Sequence, residues 1–184
     1  FLYSNTGYNI LGFLIEAIDK RPFADAMRAR MLTPLGMTAS APIITTDLRK
    51  VMAIGLEPLL EGKPYSVNGP LAEAQWVEVD IAAGSVASTP SDMAKYMRML
   101  LNRGALPKGR LISEESFALL TKSAIDSPYR GEPAGYGYGL WVSDIGGHTR
   151  LRHTGGMVAF SSSIDVDVTG NIGAFASVNA NMRG

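Results

Sequence analysis

Residues able to carry protons stand near both ends of this 184-residue chain. A phenol at Tyr3 is followed by Ser4 and Asn5, and far along the chain the imidazole of His153 precedes Thr154 and two glycines. Phenols and imidazoles serve as general acids and bases, and glycines leave backbone N–H groups open to a developing oxyanion. Together they could transfer a proton and stabilise an oxyanion, as acyl transfer to a nucleophile requires.

A helix and a strand must position the two groups. Apolar residues at helical spacing predict a helix over residues 6–20, capped by Asn5 or Thr6. Its inward face comprises Ile10, Leu11, Leu14, Ile15 and Ile18. At the other end of the chain, a strand is predicted over residues 151–154, after a turn at two glycines.

Three further helices are predicted from their end signals. One begins at Pro22 and ends at Thr33, because the residue before a proline is pushed out of the helical region. A capping-box pattern from Thr89 to Asp92 begins the next, which Gly104 ends, and Ser113 begins a third that runs to about residue 121. The inward residues are Phe23, Ala26, Met27 and Met31 in the first, and Met93, Tyr96, Met97, Leu100 and Leu101 in the second.

Alternating apolar residues after position 135 predict consecutive strands joined by tight turns. The alternation begins with Tyr136, Tyr138, Leu140 and Val142. Because the helices precede the strands, we expect an α+β fold, an antiparallel sheet flanked by helices. Residues 1–184 are predicted to form part of one domain, mainly helical or irregular over 1–135 and a sheet over 136–184. Within the first part, residues 38–83 are expected to be irregular with one or two short strands.

Composition limits the classes of function. The 17 basic and 17 acidic residues give a net charge of zero, so nucleic acid and anionic membranes are not expected partners. No apolar run approaches the roughly 18 residues that span a bilayer. With no cysteine, the chain has no disulfide, thiolate metal site or cysteine nucleophile. No cofactor and no metal are expected.

Four stretches, in order, carry a resemblance to a known family. They are Tyr3-Ser4-Asn5-Thr6-Gly7-Tyr8, Pro34-Leu35-Gly36-Met37, the segment from Ala83 to Ala94, and His153-Thr154-Gly155-Gly156 with Phe160-Ser161-Ser162 after it. The chain resembles the serine β-lactamase and penicillin-binding-protein superfamily, most closely its class C branch, which also contains DD-peptidases, D-aminopeptidases and esterases. The resemblance implies a β-lactamase/transpeptidase-like fold and a periplasmic or secreted protein.

The resemblance also implies roles for individual residues. Tyr3 would move the proton of an acylated serine to the leaving group, and Asn5 would hydrogen-bond the catalytic lysine or the substrate amide. Gly156 would offer its backbone N–H as half of an oxyanion hole, a group whose loss costs roughly 3 to 4 kcal/mol of barrier. Three residues of the third motif would bind substrate: His153, Thr154 and Gly155.

The nucleophile that the resemblance requires is not found in this sequence. It lies in an SxxK motif, and no serine stands three residues before any lysine. The lysines are Lys20, Lys50, Lys63, Lys95, Lys108 and Lys122. We therefore expect an incomplete, internal fragment of a longer hydrolase, inactive alone and prone to associate with itself or with the missing segment.

Two functions remain open. The first is part of a serine acyl hydrolase that acts on a small-molecule or peptide acyl substrate, namely an ester, a D-amino-acid peptide or a β-lactam. The second is a non-catalytic relative that keeps the fold as a binding or regulatory module.

Individual residues also have structural readings. Asn5 could simply cap a helix, and His153 could be a satisfied strand histidine. The aromatic residues Tyr136, Tyr138 and Trp141 fit an acyl pocket or cross-strand packing equally well. Three polar residues are expected to face solvent: His148, Asp165 and Asp167.

Overall fold

The computed structural model describes residues 1–59, 69–76 and 82–180. The helices are α1 (Asn5–Asp19), α2 (Phe23–Met27), α3 (Thr33–Leu35), α4 (Thr46–Arg49), α5 (Pro90–Leu101) and α6 (Glu114–Leu120). The strands are β1 (Leu56–Pro58), β2 (Leu71–Glu73), β3 (Ile125–Asp126), β4 (Gly135–Tyr136), β5 (Trp141–Ile145), β6 (His148–Met157), β7 (Phe160–Asp167) and β8 (Ile172–Val178).

The main sheet follows chain order from β3 to β8, and every neighbouring pair is antiparallel. This confirms the predicted α+β fold. The sheet takes in residues before 136, because β3 begins at Ile125. A separate two-stranded sheet of β1 and β2 gives the irregular region its short strands. The apolar segment at 76–81 lies outside the described residues, except for Trp76.

The core lies between α5 and the sheet. Helix α5 packs on β7 and β8, and its side chains join a cluster that includes Leu151 and Val166. The predicted N-cap of α5 is confirmed, since Thr89 Oγ1 accepts a hydrogen bond from the Asp92 N–H at 3.3 Å. At the other end, Gly104 has a left-handed φ of 84° as predicted, but α5 already ends at Leu101, and Arg103, with a φ of 52°, is the first left-handed residue after it. Ser113 likewise caps α6. The hydrophobic α5 residues in or against this cluster are Met93, Ala94, Tyr96, Met97, Met99, Leu100 and Leu101.

The carboxylate of Asp92 does not complete the predicted capping box. It accepts hydrogen bonds from the Ala39 N–H and the Ser40 hydroxyl, each at 2.8 Å, and pairs with Lys95 Nζ at 2.7 Å. The Lys95 hydrogen bond is the largest of the influences that lower the pKa of Asp92. The residue therefore ties α5 to a segment 53 residues earlier in the chain.

Helix α1 differs from the prediction in its cap and in its buried side. Ser4, with an extended backbone, accepts a hydrogen bond from the Gly7 N–H at 3.0 Å, whereas Asn5 already lies in the helix. The buried residue of α1 is Gly12, which lies close to Ala82. The predicted inward face is exposed in the described structure: Ile10, Leu11, Leu14, Ile15 and Ile18.

The second predicted helix does not end at Thr33. After α2, a π-helical turn over Arg28–Leu32 leads into α3, which ends at the left-handed Gly36. The Thr33 N–H bonds to the Arg28 carbonyl, five residues back. We attribute the continuation past Pro34 to this wider turn, which changes the hydrogen-bond pattern just before a residue that has no N–H to donate.

The alternation from Tyr136 to Val142 is not one strand. Residues 137–140 form a turn, closed by a hydrogen bond from the Gly137 N–H to the Leu140 carbonyl at 2.9 Å. Gly139 has a φ of 83°, which suits glycine. Strands β4 and β5 therefore form a hairpin, and Tyr138 at its tip is 67% exposed.

Asp165 and Asp167 do not simply face solvent. Asp165 forms ion pairs with Arg150 and Arg152, and Asp167 pairs with His148 Nδ1 at 2.8 Å. The pKa of Asp167 is lowered, first by the Gly170 backbone hydrogen bond. These pairs cross between β6 and β7 and reinforce their register.

Among the helices of the described residues, none is long and apolar enough to cross a membrane.

Candidate active site

The fold brings the two ends of the chain together. Tyr3 lies just before α1, where the Ser4 cap fixes the start of the helix. Its phenol oxygen lies 3.5 Å from Nε2 of His153 on β6, although the two residues are 150 positions apart. Their rings tilt against each other with centroids 6.0 Å apart. Two predicted site residues thus meet at one place.

The part of β6 that carries the predicted third motif extends past β5. Pairing between these strands runs from Ile145 opposite His148 to Trp141 opposite Arg152 and goes no further. Residues 153–157 pair with β7 on their other side. Within the described part of the chain, their remaining side has no strand neighbour, so the β6 backbone is open there to an extended ligand.

The predicted glycines lie on this open segment, and both are exposed. A Cβ at Gly155 would lie 3.0 Å from Ser162 Oγ, whereas at Gly156 the nearest atom, the Phe160 carbonyl oxygen, is 3.8 Å away. A side chain at position 155 would therefore have less room than one at position 156. Thr154 is half-buried opposite Ser163, and Asn5 is exposed in the first turn of α1.

Aromatic rings surround His153. Trp141 lies 5.1 Å from the imidazole between centroids and Tyr136 lies 6.3 Å away. Tyr136 Oη is 3.4 Å from His153 Nε2 and 3.2 Å from the hydroxyl of Tyr8, on α1. Tyr136 and Trp141 therefore pack across strands and also surround His153, whereas Tyr138 is exposed at the hairpin tip.

Tyr8 was not predicted as a site residue. It stands in the Tyr-Ser-Asn stretch five positions after Tyr3, and its ring stacks on that of Tyr3 at 6.4 Å. Its place in the first two turns of the predicted helix, close to Tyr3, is the sequence signal that could have identified it as a site residue.

Burial controls the ionisation of the site. It lowers the pKa of His153 below 6.5, and a backbone hydrogen bond with Thr154 opposes this effect. Burial also raises the pKa of Tyr136, assisted by its hydrogen bond with Tyr8. Near pH 7 the imidazole is therefore neutral and Tyr136 keeps its proton. His153 does not supply the cation that a Tyr3 phenolate needs.

A separate cavity of about 490 Å³ opens beyond the turn between β6 and β7. Its lining includes Ile54, Phe160 and Arg49, whose guanidinium lies 5.6 Å from the ring centroid of Trp76. Neither Tyr3 nor His153 lines it. The reactive groups instead sit at the strand edge, and the cavity begins where the glycine segment of β6 ends.

The described residues contain no group of three or more metal-ligating side chains.

Comparison with known proteins identifies the family. The β-lactamase family model matches residues 1–183. Penicillin-binding protein 4 of Amycolatopsis lactamdurans is 29% identical over an alignment of 162 residues, and the match covers 83% of this chain and 40% of that protein. The chain spans less than half the length of the curated relatives that it matches.

Solved structures agree with this family. The octameric penicillin-binding protein homologue from Pyrococcus abyssi superposes with a TM-score of 0.83 and 26% identity, over 99% of this chain and 39% of that chain. A D-stereospecific amidohydrolase from Streptomyces sp. gives a TM-score of 0.75 and 25% identity, over 99% of this chain and 51% of that one. The chain therefore belongs to the β-lactamase family of serine hydrolases.

Proposed function

We propose that these 184 residues form one side of the active site of a serine acyl hydrolase that works through an acyl-serine intermediate. The observation that carries the proposal is the approach of Tyr3 Oη to within 3.5 Å of His153 Nε2 beside an open strand edge. A non-catalytic binding module has no chemical need for a phenol and an imidazole in contact at that edge.

The nucleophilic serine belongs, in this proposal, to a part of the polypeptide outside these 184 residues. The support is that no lysine here follows a serine by three positions. The serine oxygen attacks the substrate carbonyl carbon, its proton passes by way of the SxxK lysine and Tyr3 to the leaving group, and water then releases the acyl group. We call the chain that includes this serine the serine-bearing polypeptide.

The other residues bind the reacting groups. Asn5, two positions from Tyr3, hydrogen-bonds the SxxK lysine or the substrate amide. The Gly156 N–H donates a hydrogen bond to the oxyanion. The substrate lies along the open edge of β6, against His153, Thr154 and Gly155.

The neutral state of His153 favours a substrate without a carboxylate at that position. A histidine whose pKa lies below 6.5 is uncharged near pH 7 and cannot bind a carboxylate as a lysine does. We therefore propose an ester or a D-amino-acid amide ahead of the two candidates that carry a carboxylate, a β-lactam and a D-amino-acid peptide with a free C-terminus. The family relative that acts as a D-stereospecific amidohydrolase supports this order.

Covalent labelling tests the proposal. We expect a fluorophosphonate probe to add once to the serine-bearing polypeptide and to leave the 184-residue chain unlabelled in intact-mass spectra. Stoichiometric labelling of the 184-residue chain would show that the nucleophile lies within it. If the serine-bearing polypeptide also stays unlabelled, the proposal that the protein is a serine hydrolase is contradicted.

A further inference from the structure

The open segment of β6, residues 153–157, is closed at one end by β5. The two strands pair as far as Trp141 opposite Arg152, so β5 occupies the edge of β6 immediately before His153. A ligand that pairs with the open segment in an extended conformation would lie in line with β5, because both would bond the same side of β6. Such a ligand cannot extend past His153 along that side without meeting Trp141.

The side chain of Trp141 blocks this end as well as its backbone. The indole centroid lies 5.1 Å from that of the His153 ring and 6.2 Å from that of the Tyr3 ring, whose plane is parallel to the indole. The ring of Tyr136 packs edge-on against the indole at 4.9 Å. Trp141 therefore lies beside both residues of the proposed proton-transfer site.

Contacts from the segment between β3 and β4 hold the indole in place. Its Nε1–H donates a hydrogen bond to Ser127 Oγ at 3.2 Å, and the ring of Tyr129 lies 5.4 Å away between centroids. Tyr129 exchanges two backbone hydrogen bonds with Glu132, each at 2.9 Å, and Glu132 pairs with Nη1 of the buried Arg152 at 2.6 Å. These contacts oppose a movement of the indole away from the end of the open segment.

The opposite end of the open segment leads to the cavity of about 490 Å³. Strand β6 ends at Met157, the chain turns at Val158 and Ala159, and Val158 and Phe160 line the cavity. The two ends of a substrate bound along β6 would therefore meet different surroundings, an aromatic side chain at one end and a cavity at the other.

The proposed mechanism decides which part of the substrate lies at the closed end. In that mechanism the Gly156 N–H binds the oxygen of the scissile carbonyl, and Tyr3, beside His153, delivers the proton to the leaving group. The leaving group therefore points from Gly156 toward Trp141, and the acyl group points toward the cavity. The three residue steps between Gly156 and His153 span about 10 Å of strand, which accommodates about two residues of a leaving group.

We propose that Trp141 is a specificity-determining residue that limits the leaving group to ammonia, a small amine or alcohol, or a peptide of at most about two residues. The acyl group, at the cavity end, can be longer. This inference rests on the proposed function, because that function sets the direction in which the substrate lies. The enzyme then removes short groups from one end of its substrate and does not cut within a long chain.

Two matched series of substrates for the serine-bearing polypeptide test the proposal. One series keeps the acyl group and lengthens a D-alanine leaving group from one residue to two and four, with an amidated C-terminus that keeps a carboxylate away from His153. The other keeps ammonia as the leaving group and lengthens the acyl group by the same steps. We expect kcat/KM to fall about 10-fold or more between two and four residues in the first series, because a carbonyl misplaced by roughly 1 Å is enough for such a loss. In the second series kcat/KM should not fall.

Trp141→Ala should remove most of the fall in the first series. Tyr138→Ala, at the exposed tip of the same hairpin, is the matched control and should retain the fall. Circular dichroism shows whether Trp141→Ala is folded, and the two series with the unmodified polypeptide test the proposal without that variant.

Equal rates along the first series in an active polypeptide would overturn the proposal and leave the proposed function standing. The same holds if a folded Trp141→Ala polypeptide discriminates between leaving groups as strongly as the unmodified one. If no member of either series is hydrolysed, the proposed function itself is contradicted, and this inference with it.

Discussion

A neutral imidazole held among phenols distinguishes this site at the residue scale. Where a lysine would carry a fixed charge, burial keeps His153 uncharged near pH 7. In the proposed mechanism, the charge that lowers the barrier therefore comes from the serine-bearing part of the polypeptide and from backbone N–H groups. Tyr3 is the residue of this chain that touches both the imidazole and, in the proposed mechanism, the moving proton.

Removing the Tyr3 hydroxyl should impair turnover with little effect on folding. We expect Tyr3→Phe in the serine-bearing polypeptide to lower kcat by about 100-fold or more, the usual contribution of one general acid or base. The exposed Tyr138→Phe should retain activity within about twofold, because its hydroxyl contacts solvent. Steady-state kinetics on the preferred ester or amide measure both, and equal rates for the two variants would exclude Tyr3 from proton transfer.

The ionisation of His153 should appear in the pH dependence of stability. Its pKa is lowered in the folded chain, so between that pKa and about 6.5 the unfolded chain binds a proton that the folded chain does not. The free energy of unfolding should therefore fall as pH decreases from 7.5 to 5.5. Urea titrations should show a smaller fall in His153→Gln than in the unmodified chain. If the free energy of unfolding falls as much in His153→Gln as in the unmodified chain, His153 is not the cause of the fall.

At the scale of elements, Asp92 joins α5 to the segment at Ala39 and Ser40. Its side chain is 3% exposed and its partner Lys95 is 32% exposed. The pair of Asp47 and Lys50 has the same three-residue spacing, but its side chains are 88% and 68% exposed. Asp92 therefore has a tertiary role, whereas Asp47 belongs to a local charge pair.

Alanine at these two aspartates should have very different costs. Asp92→Ala leaves a backbone N–H and a hydroxyl without their acceptor, so we expect a loss of about 2 kcal/mol or more in the free energy of unfolding. Asp47→Ala should change it by less than about 0.5 kcal/mol. Chemical denaturation measures both, and similar values would show that the Asp92 contacts add little.

What the sequence could predict depends on how local each signal is. Thr89 was predicted correctly because an N-cap acts within one turn, whereas the left-handed conformation predicted for Gly104 already begins at Arg103. The role of Asp92 was not, because Ala39 is distant in the sequence. Alternation suggested a strand through Tyr138, since periodicity does not register the turn that Gly139 allows. The contact between Tyr3 and His153 followed from family resemblance, and no spacing rule could supply it.

At the scale of the whole molecule, one feature is an apolar surface on α1. Its residues at helical spacing are exposed, as are Ile172 and Val178 on β8, the last strand in the described order of the main sheet. Helical periodicity indicated that an apolar face exists but not what covers it. Exposed apolar area of this kind favours association.

We therefore expect the isolated 184-residue chain to self-associate. The double variant Leu14→Lys and Ile18→Lys should shift the chain toward monomer in light scattering, because it places two charges on the α1 face. Leu119→Lys is the matched control, since Leu119 on α6 is 52% exposed and Leu14 is 53% exposed. Equal association in both variants would show that α1 is not the contact surface.

The central claim is that this fold serves acyl transfer to a serine at the Tyr3 and His153 edge. Intact-mass spectrometry of the serine-bearing polypeptide, mixed separately with a p-nitrophenyl ester, a D-Ala-D-Ala peptide and penicillin, tests it most directly. We predict an acyl adduct on the SxxK serine that forms with the ester faster than with the two carboxylate-bearing compounds, and more slowly in Tyr3→Phe. The absence of an adduct with all three compounds, or an adduct that forms as fast in Tyr3→Phe, would contradict the account.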